Sequence, residues 1–295
     1  MSRALQAVSA EPARAPIGTG RGGAGRPRAS REDVLARNHV TVHGEGDRTL
    51  VLAHGFGCDQ RMWRFVLPAL SARYRVVLFD YVGSGNSELA AFCPERYATL
   101  DGYARDVVDV IDALALEDVV LVGHSVSAMI GLIASLEASA GISELVMVCP
   151  SPCFLNDPPG YEGGFEREDL EELIGLMDRN YIGWANHLAP LVMGTGAPEA
   201  LVGELSGSFC STDPVVAKAF AKATFFSDHR ELLPRCAART LVLQSGSDNL
   251  ASVRVGEFIH RRLPDGELRV IPAEGHCLHM TDPRVVAESI ADFVG

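Results

Sequence analysis

One hydroxyl in this sequence is set up for nucleophilic chemistry. Ser125 stands in Val119-Val-Leu-Val-Gly-His-Ser-Val-Ser-Ala-Met-Ile-Gly131, a strand-like apolar run followed at once by a helix-like one. A tight turn between the two would push the serine above the strand. Gly123 and Ser127, two residues before and two after, are small enough to let the neighbouring chain pass closely. A neutral hydroxyl is a weak nucleophile and needs a base, and the base needs a group to orient it. Two later segments supply both. Thr240-Leu-Val-Leu-Gln-Ser-Gly-Ser-Asp248 is an apolar run ending in an acid, and Ile271-Pro-Ala-Glu-Gly-His276 is an apolar run, a glycine turn and a histidine. His276 would take the Ser125 proton during attack and pass it to the leaving group. Asp248 would hold the imidazole in the right tautomer. His279 is the rival base, and Asp80, just after Phe79, the rival acid.

These residues need a scaffold that brings three distant segments together. The 295 residues are 47% apolar and 22% charged, enough to bury a large core. Short, nearly continuous apolar runs predict strands at Val40–His43, Leu50–His54, Arg75–Phe79, Val119–Val122, Leu145–Cys149, Leu241–Gln244 and Leu268–Ile271. Such runs mark strands covered on both faces. Helices are expected near Arg61–Ser71, Leu100–Leu114, Ala128–Ala138, Val253–Arg262 and Pro283–Phe293. The alternation implies an α/β fold with a mainly parallel sheet and helices on both faces. Between residues 149 and 240 no convincing strand appears. Helix-like segments (Glu168–Tyr181, Trp184–Met193, Pro198–Cys210 and Pro214–Phe225) predict an inserted helical cap at about 152–228, since a structureless loop of that length would be improbable. The folded domain is expected over 32–295. Residues 1–31, rich in Ala, Gly, Pro and Arg without apolar periodicity, are expected to be a disordered tail.

Charge and composition narrow the partners. The net charge is −12, and six arginines against one glutamate in residues 1–31 leave the body more acidic still. An acidic body repels nucleic acid and anionic membranes, so neither is expected as a partner. No apolar run reaches the length of a membrane span. The seven cysteines (58, 93, 149, 153, 210, 236 and 277) are odd in number and irregular in spacing, which predicts free thiols in a reducing cytoplasm. No metal or other cofactor is expected. Gly83-Ser-Gly85 is a turn, not a dinucleotide loop.

Gly123-His-Ser-Val-Ser127 resembles the nucleophile elbow of the α/β-hydrolases, with Ser127 where the second glycine usually stands. The order Ser, Asp, His is also that family's order. Leu50-Val-Leu-Ala-His-Gly-Phe-Gly-Cys58 resembles the family's oxyanion loop, so the resemblance assigns the backbone N–H groups of Phe56 and Val126 to the oxyanion hole. A dehalogenase of this fold would carry Asp where this chain has Ser125. Several phrases are similar to the bacterial stress regulators of the RsbQ type and to the plant strigolactone and karrikin receptors. They are Phe79-Asp-Tyr-Val-Gly-Ser-Gly85, Ser151-Pro-Cys-Phe-Leu-Asn-Asp-Pro-Pro159, Tyr161-Glu-Gly-Gly-Phe165, Asn180-Tyr-Ile-Gly-Trp184, Phe225-Phe-Ser-Asp-His-Arg230 and Glu274-Gly-His-Cys-Leu-His-Met280. The resemblance implies a four-helix cap over an apolar pocket lined by Phe154, Phe165, Trp184 and Phe225. It also implies a small hydrophobic ester or lactone as substrate and a PAS-domain phosphatase as partner. The competing implication is a ligand-binding signalling receptor whose turnover is slow or incidental.

Overall fold

The computed structural model describes residues 30–137 and 141–295. The tail expected over 1–31 lies outside them except for its last two residues, and those open a helix. Ser30 caps α1 (Arg31–Arg37): its Oγ accepts from Asp33 N–H while the Asp33 carboxylate accepts from Ser30 N–H. This reciprocal pair satisfies the free donors of the first turn.

The chain then builds β1 (Thr41–His43), β2 (Thr49–Ala53), a 3₁₀ turn at Gln60–Phe65, α2 (Leu67–Ser71) and β3 (Arg75–Leu78). The single helix expected over Arg61–Ser71 is therefore two pieces. Pro68 has no N–H to donate into a preceding turn, so it sits at the start of α2 instead of inside a longer helix. Next come α3 (Leu100–Ala113), β4 (Val119–His124), α4 (Val126–Ser135) and β5 (Ile142–Val148). Ala138, the last residue expected of the helix after β4, lies outside the described residues. Four helices follow before the next strand: α5 (Arg167–Arg179), α6 (Tyr181–Met193), α7 (Glu199–Ser211) and α8 (Pro214–Phe225). The chain closes with β6 (Arg239–Ser247), α9 (Val253–Arg262), β7 (Gly266–Glu274), the short α10 (Leu278–Thr281) and α11 (Pro283–Val294).

The seven strands form one sheet in the order β1-β3-β2-β4-β5-β6-β7. Only β1 runs antiparallel. Successive residues point to opposite faces, and here both faces are covered. Leu50, Leu52, Val120 and Val122 pack with Trp63, α11 and the cap helices, while Val51, Ala53, Val119 and Leu121 pack with α3, α4 and α9. This double burial is why the strands read as unbroken apolar runs. In a parallel sheet the strand ends share one edge, so the residues after β2, β4, β6 and β7 all emerge on the same side. Ligands of open α/β sheets bind beyond those carboxyl ends.

One buried charge cluster braces the loop after β3. Asp106 of α3 is fully buried. Its carboxylate accepts from Arg96 (2.7 Å), Tyr97 Oη (3.0 Å) and Val82 N–H (3.2 Å), with Arg37 at 3.6 Å. Burial pushes this carboxyl up, against the pull of the two guanidiniums. Removing one member of such a set leaves the others desolvated without a partner. Asp106→Ala should therefore destabilise the protein by about 3–5 kcal/mol, read as a drop in the urea midpoint at unchanged m-value.

Candidate active site

β4 hands its chain to α4 through Ser125 itself. The backbone there has φ 56° and ψ −121°, a conformation unusual for a residue with a Cβ. It is held from both ends. Ser125 N–H donates to Val148 O at 2.8 Å, and Ala128 N–H donates to Ser125 O at 3.0 Å. The turn is so close that a Cβ on Gly123 would lie 2.4 Å from Ser127 O. Glycine is required there by contact.

His276 and Asp248 arrive from β7 and β6. His276 follows Gly275, whose φ of 87° suits glycine and whose added Cβ would meet Met193 O at 2.1 Å. His276 N–H donates to Val192 O of α6 at 2.7 Å, and Gly275 N–H to Ser247 O at 2.8 Å. The imidazole is thus pinned by the cap on one side and by β6 on the other. Its Nε2 lies 2.7 Å from Ser125 Oγ and its Nδ1 2.7 Å from Asp248 Oδ2. Asp248 Oδ1 accepts from Leu250 N–H (2.8 Å) and Ala251 N–H (3.2 Å). Burial alone would raise this carboxyl. His276 and the two backbone donors outweigh it and hold Asp248 below the usual carboxylate range. An ionised carboxylate only accepts, so Nδ1 carries the ring proton and Nε2 presents its lone pair to the hydroxyl. Hydroxyl, imidazole and carboxylate thus stand in the order that nucleophilic acyl transfer uses.

Cys149 sits behind this line. Its Sγ lies within 4.8 Å of ligand-type atoms of Asp248 and His276. Burial first, and the Asp248 charge second, push the thiol well up, so it stays protonated. Of the three, His276 and Asp248 are joined by a hydrogen bond, and Cys149 packs beside that pair.

The rivals are occupied elsewhere. His279 is fully buried, with neither ring nitrogen bonded, between Trp63 (centroids 4.6 Å) and His124 (4.4 Å). Asp80 accepts from Gln60 N–H (2.8 Å) and Asn86 N–H (2.9 Å), which fixes the loops after β2 and β3. His124 Nε2 donates to His276 O at 2.9 Å, a link that sequence reasoning missed.

The N–H groups of Phe56 and Val126 have no hydrogen-bond acceptor within the protein among the described residues. Val126 opens α4, where free N–H groups and the helix dipole favour an anion. Above Ser125 and His276 lies a tight cavity, with about 30 Å³ open to the centre of a water molecule. Phe56, Phe154 and Phe225 line it. So do Leu188, Val192, Leu205, Phe209, Thr224 and Leu250, none of which sequence reasoning named. Phe165 and Trp184 do not reach its wall. Trp184 is buried one layer out, stacked on Tyr181 (5.3 Å) and packed against Phe209 (5.3 Å). Phe165 is held by backbone bonds to Phe154 and Asn156, which leave its ring 6.4 Å behind that of Phe154.

A family model described as the alpha/beta hydrolase family matches residues 50–289. The chain belongs to this family. It is 42% identical over 255 residues to a probable esterase of Oryza sativa subsp. japonica, covering 86% of this chain and 94% of the rice protein. It is 37% identical over 260 residues to a strigolactone esterase of Arabidopsis thaliana, covering 88% and 97%. Among solved structures, a hydrolase from Oleispira antarctica superposes with a TM-score of 0.89 at 55% identity, covering 90% of this chain and 97% of that one. The fold and the hydrolase membership are thus shown by sequence and by structure.

Buried histidines surround the site. Burial pushes His54 down, takes His124 down to about 3 with help from His276, and takes His279 well down with help from its histidine neighbours. On unfolding each regains an ordinary value near 6.5. The unfolded chain therefore binds more protons below pH 6.5, and stability falls as pH falls through that value. The expected slope is up to about 1.4 kcal/mol per pH unit for each histidine. Urea unfolding between pH 7.5 and 5.5 measures it, and His279→Phe should make the slope shallower by one proton.

Proposed function

We propose that this hydrolase cleaves small apolar carboxylic esters or lactones, with Ser125 as nucleophile, His276 as general base and Asp248 orienting the base. The observation that carries the reading is the unbroken line Ser125 Oγ–His276 Nε2 and His276 Nδ1–Asp248 Oδ2, 2.7 Å at each step. The unbonded N–H groups of Phe56 and Val126 support their role as the oxyanion hole. Each such donor is worth about 3–4 kcal/mol of barrier. Phe56, Phe154 and Phe225 at the cavity wall argue for an apolar substrate. A cavity of about 30 Å³ admits one or two waters. The apolar walls stand close around Ser125, which favours short acyl groups.

The finer part of the reading sets the protein beside the RsbQ-type stress regulators, in the cytoplasm, with a PAS-domain phosphatase as partner. Its support is the likeness of the cap phrases around Phe154 and Trp184, together with the free state of all seven cysteines. A second reading, a ligand receptor with incidental turnover, is favoured by one finding: a karrikin insensitive 2 receptor of Petunia hybrida is 40% identical over 254 residues. Affinity capture with the purified chain should retain a PAS-domain phosphatase encoded in the same genome. Its absence there removes the partner.

Ser125→Ala should cut kcat on p-nitrophenyl acetate by several orders of magnitude while leaving the fold intact. In wild type, kcat/KM should fall steadily from acetyl to octanoyl esters. Equal rates for wild type and Ser125→Ala would remove Ser125 as nucleophile. A preference for octanoyl would show that the cap opens freely.

A further inference from the structure

Ser127 occupies the elbow position where glycine usually stands, and its hydroxyl has two partners. Ser127 Oγ lies 2.5 Å from the carbonyl of His54 and 2.8 Å from the hydroxyl of Tyr81. A carbonyl only accepts, so the serine proton goes to His54 O. Tyr81 must then donate its own proton to Ser127 Oγ. All three residues are fully buried.

The same unit fixes the His54 ring. Tyr81 N–H donates to Nε2 at 3.2 Å, so Nδ1 carries the proton and donates to Gly55 O at 2.9 Å. Cys58 N–H reaches that carbonyl as well, at 3.3 Å. The Gly55 carbonyl belongs to the peptide whose N–H is that of Phe56. In a trans peptide the two point opposite ways, so fixing one aims the other. Val126, the second candidate donor, immediately precedes Ser127. The serine hydroxyl therefore ties the helix start that carries one donor to the strand end that carries the other.

We propose that Ser127 is a positioning residue for the oxyanion hole, setting the spacing of the Val126 and Phe56 N–H groups through its bonds to His54 and Tyr81. The inference rests on the serine hydrolase reading above. It accounts for a serine at this position as a gain of rigidity, since the hydroxyl satisfies a buried carbonyl that glycine would leave unbonded.

The test compares wild type, Ser125→Ala, Ser127→Ala and Ser127→Gly. The quantities are kcat and KM on p-nitrophenyl acetate and the Ki of an aryl trifluoromethyl ketone, whose tetrahedral serine adduct places an oxyanion in the hole. Loosened donors act on the transition state and the adduct but not on the bound ester. Both Ser127 variants should lose about 10–100-fold in kcat, less than outright removal of a donor. KM should stay within about twofold, and the ketone Ki should rise by the same factor as kcat falls. A purely structural role would lower thermal stability without this paired change. Should the alanine variant not fold, the glycine variant reads the same quantities in the residue the elbow usually carries. Unchanged kcat in a folded Ser127 variant, or a fall in kcat with unchanged ketone Ki, overturns the inference alone. Wild-type turnover that survives Ser125→Ala overturns the hydrolase reading, and the inference with it.

Discussion

The left-handed backbone at Ser125 is the constraint from which the rest of the site follows. A serine holds φ 56° only where its surroundings over-determine it. Here β5 supplies an acceptor in Val148 O, α4 supplies a donor in Ala128 N–H, and Gly123 lets Ser127 O approach. The turn needs a strand buried on both sides and a helix that starts with no intervening loop. Those demands are met at β4, which is paired with β2 and β5 and runs straight into α4. The loops after β6 and β7 then bring Asp248 to His276 and His276 to the Ser125 side chain.

The fold and the candidate site residues were legible because both leave local signals. Strands covered on both faces read as unbroken Val and Leu runs, and chemistry-bearing residues stand just beyond their ends. Ser125, Asp248 and His276 each follow such a run, and the structure brings them into one line. The layer behind them left no such trace. The bond from Ser127 to His54 spans 73 residues and that from His124 to His276 spans 152. No periodicity encodes a partner that distant, and a lone serine or histidine on a helix start reads the same with or without it. The pocket wall was half legible for a related reason. An aromatic residue type predicts burial but not depth, so Trp184 is buried behind the wall while Leu188 and Leu205, ordinary helix residues by pattern, form it. The helix α1 went unread because it is short and buries a single side chain, Val34.

The cap does more than cover the cavity. The end of α6 is bonded to both loops that carry His276 and Asp248. Val192 O accepts from His276 N–H, and Leu191 O accepts from Asn249 Nδ2, next to Asp248. Gly194 packs against Gly275 at a distance that leaves no room for side chains. The other cap boundary grips the oxyanion loop: Ser208 Oγ donates to Gly57 O at 2.7 Å, and the Phe209 ring closes on Gly57. An ion pair between Arg64 and Glu204 spans the same seam.

These bonds couple cavity size to catalytic geometry. A ligand in this cavity lies against Leu188, Val192 and Leu205. Two of those side chains belong to the helix whose backbone holds His276, and the third to the helix that clasps Gly57. Enlarging the cavity therefore strains the base loop and the oxyanion loop together. The cap and the site are in this sense one mechanical unit, because moving Leu188 or Val192 moves the helix whose backbone is bonded to His276.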